Sequence, residues 1–329
     1  MSVPLSILDL VSIPEGSTAS EGIAASMASA RHADQLGYRR LWFAEHHNTP
    51  NLAASATSLL ISQAAAVTER IRVGSGGVML PNHAPLMVAE QYGTLANMHG
   101  PRIDLGLGRA PGTDQMTAQA LARSSGEPQE FAQNIYDMQG WFGTEGTAHS
   151  AAIRSAVSAD TQVPIWVLGS TVNGAAIAGQ LGLPFSLASH FAPDQIDDAI
   201  RVYRESFTTE SPTAQIEAPY VMAGINVMVA DTDEEAEHQF TTLGQMFLDL
   251  TRGQQRKIQP PIDPAELAEM GGRDHPMLRI KAVGSPRTAS EQLTEFIERT
   301  GADEIITTTY AYDPAVRDRS LQLLADVWF

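Results

Sequence analysis

The chain has 329 residues, 43% of them hydrophobic and 6% aromatic, with 38 acidic side chains against 21 Lys and Arg and a formal charge of -17. That excess of negative charge repels phosphate backbones and anionic headgroups, so nucleic acid and membrane surface are poor partners, while the hydrophobic share suffices for a large core. The absence of cysteine excludes a disulfide framework and a thiolate metal site. Residues 1–9 lack the segments of a signal peptide and no apolar run approaches about 18 residues, so the expectation is a cytoplasmic protein.

In chain order, residues 5–9 form the first short apolar run, followed by a helical stretch over 21–36 with Ile23, Met27 and Ala30 on one face. A second run, 40–44, leads straight into Glu45, His46 and His47. Polar residues at the C-terminal end of a barrel strand are where such folds keep their catalysts. Neighbouring side chains diverge there, so one histidine faces the pocket while Glu45 and the other histidine support it from the rim. Two neutral histidines packed in half-buried positions is the open alternative. The third run, 71–75, continues into Gly76-Gly77, suited to a tight turn or to close approach of a flat ligand. His83 and His190 also fall near strand ends. They keep a metal site in view, although the helical His-Glu-x-x-His spacing and a His-x-His pair after the first strand are both missing.

The fourth run, 103–107, carries Gly106, Gly108 and Gly112 in a G-x-G-x-x-x-G spacing that departs from the dinucleotide-binding pattern. Behind it, Arg109 can fork onto a phosphate or form a surface ion pair. Residues 110–163 exceed what one helix and short loops need. After the fifth run, 165–168, come Gly169, Ser170, Thr171 and Asn173 at the start of an Ala-rich helix. Free N–H groups and hydroxyls there make an anion site, and plain N-capping by Ser170 or Thr171 fits the same residues. Runs at 185–188 and 221–229 follow, with Asp231 and Glu234 as a capping-box variant. Residues 251–282, which include Pro260-Pro261 and Gly271-Gly272, are a lid or a solvated excursion. Ser285-Pro286 starts a helix by hydroxyl cap and N1 proline, Leu293, Phe296 and Ile297 share its face, and 304–307 is the eighth run. Eight strands alternating with helices predict an α/β protein, a closed (β/α)8 TIM barrel in one domain over 1–329, with insertions at 110–163 and 251–282 on its C-terminal face.

Four motifs in order, Trp42-Phe43-Ala44-Glu45-His46-His47, Val73-Gly74-Ser75-Gly76-Gly77-Val78-Met79-Leu80-Pro81, Arg102-Ile103-Asp104-Leu105-Gly106-Leu107-Gly108-Arg109 and Val283-Gly284-Ser285-Pro286, resemble the bacterial luciferase-like flavin monooxygenases. The resemblance implies a homodimer that binds FMN at the barrel mouth. Its flavin arrives reduced from a separate NAD(P)H:flavin reductase and reacts with O2 through a flavin hydroperoxide to oxygenate a small organic substrate. It further implies that His46 is the catalytic acid/base, that Arg109 with Ser170 and Asn173 holds the FMN phosphate beside Gly169 and Thr171, and that the Gly76-Gly77 peptide is cis beneath the isoalloxazine. Glu90 matches a polar position near the site. Light-emitting luciferases carry a reactive cysteine where this chain has Gly108 and an acid where it has Gly169, so bioluminescence is not part of the resemblance. F420-dependent hydride transfer on the same fold, and flavin binding without turnover, are the alternatives. Mouth side chains such as Asn48, Met79, Asn82 and Met116 mix apolar and polar character without pointing to one substrate.

Overall fold

Strands buried on both faces read as unbroken apolar runs, because one face lines a barrel and the other meets helices. The computed structural model, which describes residues 3–110, 112–121 and 123–329, bears this out. Its strands are β1 (Leu5–Asp9), β2 (Arg40–Phe43), β3 (Arg72–Ser75), β4 (Val78–Met79), β5 (Ile103–Gly108), β6 (Ile165–Gly169), β7 (Phe185–Leu187), β8 (Val221–Val229), β9 (Lys281–Gly284) and β10 (Glu304–Thr308). Hydrogen-bonded neighbours run β10-β1-β2-β3-β5-β6-β7-β8, and β8 pairs β10 in turn, which closes a parallel barrel of eight staves. The eight expected runs are these staves, shifted by at most one residue at either end. Two strands lie outside that set: β4 adds Val78 and Met79 to the end of β5, and β9 pairs the second half of β8 from Asn226 to Val229. Both extend the wall at the mouth.

The helices are α1 (Ala19–Leu36), α2 (Thr57–Ala66), α3 (Pro85–His99), α4 (Gln115–Ala120), α5 (Pro128–Phe142), α6 (Val172–Gln180), α7 (Ile196–Ser206), α8 (Asp233–Thr251), α9 (Pro264–Glu269), α10 (Pro286–Thr300) and α11 (Pro314–Trp328). Among the described residues none is long and apolar enough to cross a membrane. Two helix starts differ from expectation. The N-cap of α8 is Thr232, whose hydroxyl accepts from Glu235 N at 3.2 Å, one residue beyond the expected frame, and Asp231 instead pairs Arg319 at 2.7 Å. The shift leaves Asp233, Glu234 and Glu235 in the first turn, where the helix dipole favours them. At α10, Pro286 occupies the first turn as expected, but the Ser285 hydroxyl bonds Thr288 Oγ1 at 3.1 Å rather than a backbone N–H.

Both expected insertions have internal order. Residues 110–163 hold α4 and the amphipathic α5, which buries Phe131, Ile135 and Met138. Residues 251–282 are strapped to the loop after β1, since Ile258 is buried and exchanges backbone hydrogen bonds with Ile13 at 3.1 Å and Glu15 at 2.8 Å.

The barrel interior is filled in layers. At the bottom, Arg40 donates to Asp104 Oδ2 at 2.7 Å and Glu304 Oε1 at 2.9 Å, both carboxylates being fully buried. Arg72 pairs the other Asp104 oxygen at 2.6 Å, Trp42 Nε1 adds a bond at 3.2 Å, and Ser6 and Tyr220 donate to Glu304. Above them Leu8, Trp42, Trp166, Met222 and Ile306 form an apolar plug, with the two indoles edge to face at 5.2 Å. Removing one partner from a buried ion cluster strands the rest, so Arg40→Met should cost about 3–5 kcal/mol. A urea midpoint within experimental error of wild type would refute that role.

Candidate active site

Alternation along β2 decides which side chains reach the mouth. Trp42 and Ala44 point into the barrel, whereas Leu41 and Phe43 pack outward against the helices. Glu45 shares the outward parity. The residue is 1% exposed and its carboxylate lies inside the loop shell, deeper than the rim position expected for it. It accepts hydrogen bonds from Met79 N at 3.0 Å, Asn82 Nδ2 at 3.2 Å, His83 Nε2 at 2.9 Å and His47 Nε2 at 2.9 Å. Burial works against the charge, but bonds from His83, His47 and Met79 N outweigh it and hold the carboxyl below its ordinary 4.5. His47 and His83 are thus bound to this carboxylate, and among the described residues no group of three or more His, Asp or Glu side chains is arranged to hold a metal ion.

His46 follows, anchored by its backbone N–H to Ala54 O at 2.8 Å. Its ring hydrogen-bonds the Gly112 backbone. Burial pushes it below the ordinary 6.5, against the Glu45 charge and the Gly112 bond that favour protonation. The Gly112 loop is held in turn. Asn82 Oδ1 accepts from Arg123 Nη1 at 2.8 Å, Arg123 Nη2 donates to Arg109 O at 2.7 Å, and Asn48 donates to Asp114 at 2.8 Å. Glu45, Asn82 and Arg123 therefore tie together the loops after β2, β4 and β5. Asn82 and His83 directly follow β4, a strand too short to read in the sequence, and Arg123 lies far along the insertion, so neither link is visible from spacing.

The Gly76-Gly77 peptide is cis. A Cβ on Gly76 would lie 2.6 Å from Leu8 Cδ1, and one on Gly77 would lie 2.7 Å from Gly106 O. The backbone of β5 therefore demands glycine at 77, while at 76 a side chain would have to displace Leu8 and press on Trp42. At Gly108 the side-chain seat is taken by Met79, whose Cε lies 2.9 Å from the missing Cβ.

The expected phosphate residues come from adjacent staves, since Leu107 of β5 is in register with Val167 of β6. Arg109 is half-buried, has no carboxylate partner among the described residues and donates only a 3.4 Å bond to Gly126 O, which sets aside the surface ion pair. Thr171 is the N-cap of α6 and accepts from Gly174 N at 3.4 Å, as simple capping requires. The side chains of Ser170 and Asn173 flank it without hydrogen-bond partners among the described residues, and Gly169 lets the strand end approach Gly174 Cα, 3.4 Å from the absent Cβ. Glu90 stands apart in the second turn of α3, with no bond to the mouth residues among those described.

The molecule is a TIM barrel whose polar residues gather at the C-terminal mouth. Residues 3–304 match the luciferase-like monooxygenases, and the chain belongs to that family of oxidoreductases. It is 41% identical over 330 residues to a luciferase-like monooxygenase of Escherichia coli strain K12, covering 99% of this chain and 97% of that one. Among solved structures it is similar to apo-MsnO8, at 32% identity and TM-score 0.86 over 99% of this chain and 98% of that one. Two more distant likenesses show the fold alone. They are the FMN complex of the oxygenating constituent of 3,6-diketocamphane monooxygenase from Pseudomonas putida (19% identity, TM-score 0.74, 99% and 97% covered) and the F420-dependent tetrahydromethanopterin reductase of Methanopyrus kandleri (14%, 0.71, 99% and 98%).

A carboxyl whose folded pKa lies below 4.5 stabilises the fold above its unfolded pKa and loses that contribution as pH falls through the folded value. Thermal stability should accordingly fall less steeply below pH ~4.5 in Glu45→Gln than in wild type. Parallel slopes in the two proteins would remove Glu45 from the account of acid sensitivity.

Proposed function

We propose that this chain is an FMN-dependent monooxygenase of the cytoplasm that oxygenates a small organic substrate with O2, taking reduced flavin from a separate NAD(P)H:flavin reductase. The observation that carries the proposal is Arg109, a half-buried guanidinium with no carboxylate partner among the described residues, at the end of the stave next to the one that leads into α6. Charge-assisted forks of this kind suit a phosphate, and the first turn of α6 adds N–H groups and the positive end of a helix dipole. Ser170, Thr171 and Asn173 supply side-chain donors there, and Gly76-Gly77 offers a wall without side chains for a flat ring. FMN bound in this way supplies the redox centre that activates oxygen.

The protein's own groups do the rest. His46 holds or moves a proton at its ring nitrogen, kept neutral by burial and oriented through Gly112. Glu45 fixes the loops that present it. Leu8, Trp42 and Trp166 fill the space below, so water reaches the site only from above.

Arg109→Ala should weaken FMN binding about tenfold to a hundredfold, the worth of a charge-assisted bond. FMN and F420 titrated separately into the apoprotein distinguish the two cofactors, and affinity for F420 alone overturns the proposal. If His46 acts in its neutral form, the acid limb of kcat/KM should lie below pH 6.5, its ordinary value. Undiminished turnover in flavin-loaded His46→Ala would refute its role. We also propose a homodimer. Met87 and Met98, three turns apart on α3, and Leu59 on α2 leave large apolar side chains exposed, and a single-chain mass by sedimentation would refute pairing.

A further inference from the structure

His190 takes no part in the network above. It follows β7, four staves from β2 in the closed order, so it stands directly across the mouth from His46. On β8, Ala223 and Ile225 pack outward and Met222 inward, which turns Gly224 to the interior. The imidazole of His190 occupies the seat that a side chain at 224 would fill: the missing Cβ position lies 2.1 Å from Nδ1 and 3.0 Å from Cε1. The next nearest atom is Leu187 O at 3.2 Å, so the ring's Cγ is no closer than that, and for a flat five-membered ring the three limits together put the point near the ring plane, out along the direction of the nitrogen's proton or lone pair. Nδ1 is buried and has no hydrogen-bond partner among the described residues. A proton on it would be driven into the α-hydrogens of Gly224, so Nδ1 carries the lone pair and Nε2, on the far side of the ring, carries the proton.

The ring is neutral, because burial pushes its pKa down to about 4. Its loop is fixed as well. The His190 carbonyl accepts from Asn226 Nδ2 at 2.9 Å, Asn226 Oδ1 accepts from Thr308 at 2.7 Å, and Ser189 Oγ donates to Gly224 O at 2.6 Å. Nδ1 is sealed, whereas Nε2 is not among the sealed atoms, has no hydrogen-bond partner among the described residues and belongs to a half-buried residue, which leaves the Nε2 edge for a ligand.

We propose that His190 Nε2–H, opposite His46, is a substrate-orienting donor that takes an uncharged oxygen acceptor of the organic substrate; this rests on reading the mouth as the substrate site. An anionic group is the wrong complement, since the ring carries no positive charge to meet it and the chain as a whole has a formal charge of -17.

The test is nitrogen NMR of 15N-histidine-labelled protein, flavin-free and FMN-loaded, with cyclohexanone as the probe and methylenecyclohexane as its oxygen-free control. The His190 signals, identified by their loss in His190→Gln, should show the Nε2–H tautomer and move with cyclohexanone only. His190→Leu should weaken cyclohexanone binding about tenfold, the worth of one hydrogen bond at the upper end of its range, and His190→Gln, which retains a donor, should restore most of it. An Nδ1–H tautomer, or no ring response to cyclohexanone in either form of the protein, overturns the proposal. A ring response without substrate-dependent oxygen uptake supports the role of His190 and tells against oxygenation.

Discussion

One guanidinium sets the register of the barrel. Arg40 on β2 is shared between Asp104 on β5 and Glu304 on β10, and each of those carboxylates is fully buried. Slipping any of these strands by one residue would turn its charged side chain out of the barrel and leave the others without a counter-charge. Buried ion clusters of this kind are weak sources of net stability, because desolvation offsets much of the attraction. Their effect here is geometric. With Trp42 and Trp166 edge to face above, they seal one end, which leaves the end where the strands terminate for ligand chemistry.

The same alternation reaches the mouth. Arg40, Trp42, Ala44 and His46 share one parity, and Leu41, Phe43 and Glu45 share the other. The register that places Arg40 in the bottom cluster also sets where the chain leaves β2, and Glu45, two residues beyond that end, enters the shell of loops around the mouth. In that shell the carboxylate gathers a backbone N–H, an amide and two imidazoles, and through Asn82 it reaches Arg123 and the Arg109 backbone. A buried carboxylate with this many donors stays ionised and rigid. The loops that carry His46 and Arg109 thus share one support, although the two residues are far apart in sequence.

What was legible in the sequence follows from this layout. Each stave is buried on both faces and reads as an apolar run, so all eight were visible, as was the strand-end position of Glu45, His46 and His47. The capping frame at α8 was missed by one residue because Asp231 and Thr232 are both good caps, and only the partner of Asp231, Arg319 on the distant α11, decides between them. β4 and β9 are short extensions that exist only because longer strands offer them an edge. Glu45 was expected at the rim. Its depth depends on loops closing over it, and Asn82, His83 and Arg123 reach it through tertiary contacts that leave no periodic mark. His190 was visible as a strand-end histidine, but its seat is made by Gly224 on the next stave.

Charge adds a constraint that spacing does not show. With a formal charge of -17 the molecule surrounds itself with a field that opposes the approach of a phosphate dianion, so affinity for the proposed cofactor has to be built within the mouth. Arg123 is already engaged by Asn82 and the Arg109 carbonyl, whereas the Arg109 guanidinium has no carboxylate among the described residues. Keeping carboxylates away from Arg109 is what leaves its charge available, and the positive end of α6, which follows the next stave, adds roughly half a unit charge of the same sign. The long-range repulsion is screened over about 8 Å at physiological ionic strength, while contacts in a half-buried site are screened far less. Attraction at this mouth is therefore short in range: the fold admits an anion that has reached the loops, and does little to draw one from a distance.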